Sequence, residues 1–219
     1  MQLNKLLANT SFFGLGTLLG SQVALRVACA KQPRPMPHQM ADALDHPLRL
    51  RYRNPGATLA DYGIAPDMTI LDLGCGTGTF TLELARMVGE GGRIHAVDLQ
   101  QPLIDRTRQR LLAAGLQDRV QLHCCGAEAL PLGTESVDLV VMIATLPQIP
   151  DRFAALSEVQ RVLKVGGRLV LSEELPDPAY VLPSVSRHWA EEAGFRFVAQ
   201  LGTFFCYSVL LEKTNSRAD

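Results

Sequence analysis

The sequence predicts an α/β domain: a doubly wound, mostly parallel sheet ending in an antiparallel hairpin, preceded by a hydrophobic N-terminal helix. Three observations predict it. From Thr69 onward, short apolar runs alternate with segments of helical periodicity, the pattern of βαβ units. The run Val137–Ile143 is apolar apart from Asp138, as a strand buried on both faces is. The chain finishes with two β-rich runs, Phe195–Leu201 and Phe204–Lys213, joined by Gly202-Thr203, and so short a joint makes that pair antiparallel.

Residues 1–32 differ from the rest. Phe12 to Ala30 is mostly apolar, interrupted by Ser, Thr, Gln22 and Arg26. A helix over that stretch would be roughly 28 Å long, about the thickness of a bilayer's hydrocarbon core. Lys31, Arg34, Arg49, Arg51 and Arg53 follow it, against Lys5 alone before it, which puts the following domain in the cytoplasm if the helix spans. Three readings compete: a spanning anchor, a helix lying in the interface or packed on the domain, and a secretory signal ending near Ala28-Cys29-Ala30. The cysteines, Cys29, Cys75, Cys124, Cys125 and Cys206, include no C-x-x-C pair and no metal spacing, which argues against export and against a metal site. Membrane association through residues 12–30 is the expectation. Pro33-Arg34-Pro35-Met36-Pro37 reads as an extended linker, and Ala41 to Tyr62 as short helical segments broken by Pro47 and Pro55. Residues 33–64 thus read as a linker and short helices ahead of the main domain, 65–219.

Within that domain the first strand is Thr69–Leu73 and its helix runs from about Phe80 to Val88, closed by Gly89-Glu90-Gly91-Gly92. A second strand ends at Asp98, a helix covers Pro102 to Ala114, and a third strand is Val120–Cys124. After the fourth strand come a helix over Phe153–Leu163, a Gly166-Gly167 turn, a fifth strand, Arg168–Ser172, and a helix over Ser184–Ala193.

The first strand runs straight into Gly74-Cys75-Gly76-Thr77-Gly78. A turn so stripped of side chains lets backbone N–H groups meet a ligand at a helix N-terminus. The dinucleotide frame G-x-G-x-x-G is met by Gly74 and Gly76, but its third position is Thr79 and the third glycine comes one residue early. The run Leu71-Asp72-Leu73-Gly74-Cys75-Gly76-Thr77-Gly78 instead closely resembles the first motif of class I S-adenosylmethionine-dependent methyltransferases. The resemblance covers about residues 65–213, and it implies that the segment before it, 33–64, covers the cofactor and helps shape the acceptor pocket. It implies a Rossmann-like seven-stranded sheet, S-adenosyl-L-methionine as cofactor, and methyl transfer. On this resemblance Asp72, Gly74, Cys75, Gly76 and Gly78 hold the methionine part. Asp98, an acid at the end of the second strand, receives the ribose hydroxyls, with Leu99 beside it; this feature is shared with dinucleotide folds. Gly126, Ala127 and Glu128 belong to the adenine loop, and Ile143 ends the fourth strand. The family usually carries Asp where this chain has Gly126. Glu128 or a backbone carbonyl could replace it, and Glu128 could equally be a helix N-terminal charge.

Methyl transfer is an in-line displacement that depends on alignment and exclusion of water, and needs a base only if the acceptor must lose a proton. Amino-group methyltransferases often carry Asn/Asp-Pro-Pro-Tyr/Phe after the fourth strand; here the residues are Ala144-Thr145-Leu146-Pro147-Gln148-Ile149-Pro150. With a net charge of −1, this argues against nucleic-acid acceptors. Thr145 and Gln148 read either as acceptor contacts or as caps of the next helix. Glu173, Glu174, His188 and Trp189 fall where similar proteins border the acceptor, and His188 is the candidate base by its ordinary pKa. Phe80, Trp189, Phe204, Phe205 and Tyr207 read as core. The apolar N-terminus and the missing amine motif point to a small, hydrophobic or lipid-like acceptor such as a quinone. Two alternatives remain: a membrane-tethered cofactor-binding protein without catalysis, and an NAD-dependent oxidoreductase, against which Thr79 and the terminal hairpin weigh.

Overall fold

The computed structural model describes residues 20–214. Residues 20–31 form a helix, α1, followed by the extended segment Gln32–Pro37 and a 3-10 turn, His38–Ala43. Two short helices follow, α2 (Pro47–Tyr52) and α3 (Pro55–Leu59), each begun by proline at its first position and capped by the side chain before it, His46 and Asn54. The domain then alternates: β1 (Thr69–Leu73), α4 (Thr79–Met87), β2 (Arg93–Asp98), α5 (Gln101–Ala114), β3 (Val120–Cys124), β4 (Val137–Ile143), α6 (Arg152–Val162), β5 (Leu163–Glu174), α7 (Pro183–Glu192), β6 (Phe195–Gly202) and β7 (Cys206–Lys213).

The strands form one seven-stranded sheet in the order β3-β2-β1-β4-β5-β7-β6. Five are parallel, and β7 runs antiparallel to both β5 and β6. The chain starts at β1, steps outward to β3, then returns to pair β4 against the other side of β1. Such a switch point leaves a crevice at the carboxyl ends of the strands. Side chains alternate across β1 accordingly: Leu71 and Leu73 pack with α6 and α7 residues, whereas Ile70 packs with the α3 and α4 side.

That alternation also decides Asp72. Its carboxylate faces α4, is 2% exposed, and accepts a 2.6 Å hydrogen bond from the Thr81 hydroxyl. Burial, reinforced by the nearby Asp98, lifts its pKa from 3.8 to about 6.

Two expectations are corrected here, and a third reaches beyond the described residues. β7 begins at Cys206, so Phe204 and Phe205 sit in the hairpin loop, 68% and 37% exposed, rather than in the core; Tyr207 is buried. β5 extends through the Gly166-Gly167 turn back to Leu163. The stretch 12–30 lies partly outside the described residues. Among the described residues no helix is long and apolar enough to cross a membrane, and α1 exposes Val23, Leu25 and Val27.

The covering segment is fastened to the sheet by buried polar groups. Arg53, fully buried, donates to the Ser172 hydroxyl at 2.8 Å, the Glu173 carbonyl at 3.3 Å and Cys206 Sγ at 2.7 Å. The Tyr62 hydroxyl lies 2.6 Å from Ser208 Oγ, and Arg49 pairs with the buried Glu174 at 2.7 Å.

The Asp72 shift yields a sign-definite expectation. A carboxyl whose folded pKa is raised stabilises the fold fully below its unfolded value near 3.8, and that contribution is lost as pH rises through about 6. Urea unfolding of wild type and Asp72→Asn should therefore show wild type losing about 2 kcal/mol relative to the variant between pH 4 and pH 7. A constant difference would mean that Asp72 does not titrate in the fold.

Candidate functional site

A cleft open to solvent on one side lies over the carboxyl ends of β1, β2 and β4. Its floor is the glycine turn. Gly74 and Gly78 have φ of 84° and 79°, and a Cβ on Gly74 would stand 2.3 Å from Thr145 Oγ1, one on Gly78 2.6 Å from Thr107 Cγ2. Only glycine lets the turn pass between those two threonines.

Four amides of the turn are taken within the fold. Gly74 and Cys75 N–H donate to the Val97 carbonyl at 2.8 and 2.9 Å, Gly76 N–H to Asp98 Oδ2 at 3.0 Å, and Gly78 N–H to the Cys75 carbonyl at 2.9 Å. The turn is thereby tied to the end of β2. Asp98 also accepts from Gln100 N–H through Oδ1 at 2.9 Å. Each carboxylate oxygen keeps a lone pair for a further donor. Burial raises the Asp98 pKa, against the amide hydrogen bonds from Gln100 and Gly76.

The structure brings Gly74, Gly76, Asp98, Leu99, Gly126, Ala127, Glu128 and Ile143 together on the cleft wall. Asp72, Cys75 and Gly78 do not reach it. Asp72 is turned onto Thr81, Cys75 packs with Ala96 and Ile104, and Gly78 caps α4. Leu99, 57% exposed, gives the cleft an apolar shelf beside Asp98.

Gly126 stands where the resembling family has Asp, and the structure shows what fills the space. A Cβ built on Gly126 would lie 2.6 Å from Glu128 Oε2. The Glu128 carboxylate has folded back over the glycine, into the region an aspartate at 126 would occupy.

Across the cleft lies the other wall, made by Ala144, Thr145, Gln148, Ile149 and Pro150 after β4 and by Asp177 after β5. The Thr145 hydroxyl donates to the Ile143 carbonyl, and α6 is capped by Asp151, so neither Thr145 nor Gln148 caps that helix. Gln148 donates to the Ala144 carbonyl at 2.9 Å and to Asp177 Oδ2 at 3.2 Å, and accepts from Met36 N–H at 2.8 Å. Gln100 on the opposite wall donates to the Met36 carbonyl at 2.8 Å and accepts from His38 N–H at 3.0 Å. Met36 is thus strapped over the cleft between two glutamines. Leu44 adds to this roof, and Asp45 pins it by accepting from Thr77, Arg106 and Arg110.

His188 is not brought to the site. It lies 66% exposed on α7, with Nε2 3.5 Å from Glu192. Glu173 and Glu174 are buried behind Asp177 rather than on the wall. Asp177, Gln100, Met36 and Leu44 are the residues sequence reasoning missed.

A sheet with a glycine turn and a strand-end acid facing one switch-point cleft defines a nucleotide-type cofactor-binding α/β domain. Comparison with known proteins narrows it. Residues 70–167 match the family model described as a methyltransferase domain. A demethylmenaquinone methyltransferase of Lactiplantibacillus plantarum is 35% identical over 127 residues, 58% of this chain and 54% of that protein. A ubiquinone/menaquinone biosynthesis C-methyltransferase of Pectobacterium atrosepticum is 31% identical over 157 residues, 65% of this chain and 62% of that one. A SAM-dependent methyltransferase structure from Aquifex aeolicus superposes with a TM-score of 0.76 at 25% identity, covering 81% of this chain and 98% of that chain. The cyclase SpnF, with a TM-score of 0.66, 19% identity and coverage of 75% and 81%, shares the fold alone. The chain spans only 54% and 62% of the length of the two curated relatives. Over this region the chain resembles S-adenosylmethionine-dependent methyltransferases, and the cofactor these comparisons imply is S-adenosylmethionine.

The folded-back Glu128 gives a direct test. Glu128→Ala should weaken binding of S-adenosylhomocysteine about tenfold, the scale of one hydrogen bond to a charged group. Adding Gly126→Asp to that variant should recover most of the loss in calorimetric titration. Unchanged affinity in Glu128→Ala would leave the carboxylate without a role in binding.

Proposed function

We propose that this protein transfers the methyl group of S-adenosylmethionine to a neutral, quinone-like small molecule. In the proposed complex Asp98 takes the ribose hydroxyls, Leu99 and the 126–128 loop take the adenine, and the turn at Gly74 and Gly76 lies against the methionine part. The observation that carries this reading is the charge of the cleft: among the described residues its lining includes three carboxylates, Asp98, Glu128 and Asp177, and no Lys, Arg or His. Such a wall favours a cofactor with net positive charge and disfavours a pyrophosphate. An anionic acceptor would find no cation to pair with.

When bound, S-adenosylmethionine supplies a methyl carbon on a positively charged sulfur that departs as a neutral thioether. The chain's own part is alignment and exclusion of water. The Met36 strap and Leu44 roof the cleft, and Ile149, Pro150 and the Met36 side give its acceptor end an apolar surface. Both curated relatives are named for quinones, which supports the acceptor class. A quinone with a long apolar tail resides in a membrane. In this reading α1, with Val23, Leu25 and Val27 facing out, brings the catalytic domain to the cytoplasmic membrane surface.

The test is transfer of labelled methyl from S-adenosylmethionine to reduced demethylmenaquinone in detergent. The expected result is label in the quinone fraction, matched one to one by S-adenosylhomocysteine. Cofactor binding without transfer to any quinol would instead fit a cofactor-binding protein, and tighter binding of NAD than of S-adenosylhomocysteine would contradict the assignment.

A further inference from the structure

The three carboxylates of the cleft divide by topology. Asp98 ends β2 and Glu128 follows β3, both on the side where the cofactor's adenosine lies in the proposed complex. Asp177 follows β5, beyond β1 and β4, on the far wall. The turn at Gly74 and the Thr145 loop lie between. An acid on that wall has no cofactor group to serve, and it stands next to the apolar surface of Ile149 and Pro150.

We propose that Asp177 is the catalytic base: it accepts the hydroxyl proton of a neutral acceptor, so the acceptor is a hydroxylated aromatic rather than a ring without an ionisable group. This rests on the methyl-transfer reading above and names its missing base. Asp177 is held for the task. Oδ1 accepts from Ala179 N–H at 2.7 Å and Oδ2 from Gln148 Nε2 at 3.2 Å, which fixes the carboxylate while leaving a lone pair on each oxygen. In the step, the acceptor's O–H bond breaks, its electron pair stays on the acceptor as a phenolate whose charge reaches the ring carbons, and the proton forms a new O–H bond on Asp177. The proton then leaves to solvent and restores the carboxylate.

The surroundings tune the group toward proton exchange. Burial raises the Asp177 pKa first, with Glu174 adding to the rise, against the Ala179 and Gln148 hydrogen bonds and Arg49. The charged groups around it are Glu173 and Glu174 on β5, Arg49 on α2, which pairs with Glu174, and Arg26 on α1, which donates to the Leu175 carbonyl and lies over the Tyr180 ring. Glu173, wholly buried, has one oxygen without a partner, and burial first and Asp177 next push its pKa well up. Because Asp177 acts as a base, activity should rise with pH through its raised pKa.

The test uses the full chain with S-adenosylhomocysteine bound and two probes, 1,4-dihydroxynaphthalene and its dimethyl ether, titrated by calorimetry. Wild type should prefer the diol about tenfold or more, the scale of a hydrogen bond to a carboxylate. Asp177→Asn keeps an acceptor for Ala179 N–H, so it should melt near wild type and bind S-adenosylhomocysteine equally, yet lose that preference. With reduced demethylmenaquinone its kcat should fall on the order of a hundredfold and the acid limb of the pH profile should vanish. Asp177→Glu should recover part of both. A variant Asp177→Asn that keeps the diol preference, or keeps kcat and the acid limb, overturns the assignment while its S-adenosylhomocysteine binding leaves the cofactor reading intact. Failure of wild type to bind S-adenosylhomocysteine overturns both.

Discussion

The site depends on the fastening of the glycine turn to the end of β2. Val97 and Asp98 receive the amides of Gly74, Cys75 and Gly76, and that one set of hydrogen bonds fixes the turn, the strand-end acid and the spacing between them. The turn must pass within contact of Thr145 to do so, which couples it to the loop after β4. Parallel register does the rest: β1 pairs with β2 on one side and β4 on the other, so their carboxyl ends open into one crevice. The same fastening occupies the amides of Gly74, Cys75 and Gly76 within the fold.

Charge and cover complete the arrangement. Among the described residues the wall carries acids and no Lys, Arg or His, which in the proposed reading favours a positively charged cofactor and a neutral acceptor. The roof comes from a segment with little regular structure of its own. It is held at Met36 by Gln100 and Gln148, at Asp45 by α5 arginines, and at Arg53 and Tyr62 by buried hydroxyls of β5 and β7. Arg53 is a fully buried cation whose Nε has no partner, set beside two buried glutamates, and such a cluster holds its members in one arrangement at some cost in stability.

Much of the fold was legible because its signals are local. The alternation of apolar runs and helical periods, the Gly-Thr joint and the glycine turn each lie within a few residues, and the seven-stranded sheet with its terminal hairpin follows from them. What escaped depends on distance in the chain. The linker reading of Pro33–Pro37 identified an extended segment, but the glutamines that hold it across the cleft lie 64 and 112 residues away. Asp177 sits in Pro-Asp-Pro after a strand and reads locally as a turn. Asp72 was legible as a motif residue, yet strand alternation points it into the core. His188 attracted notice through its chemistry alone, and α7 turns it to solvent. Phe204 and Phe205 were assigned to the core on hydrophobicity, which constrains the interior more than the surface.

The most direct test of the account is calorimetric titration of the full chain with S-adenosylhomocysteine, wild type beside Asp98→Ala. The account predicts saturable one-to-one binding by wild type and a loss of about a hundredfold in the variant. Asp98 both fastens the turn and faces the cleft with two acceptor oxygens, so more than one hydrogen bond goes with it. Equal binding by the two proteins would contradict it.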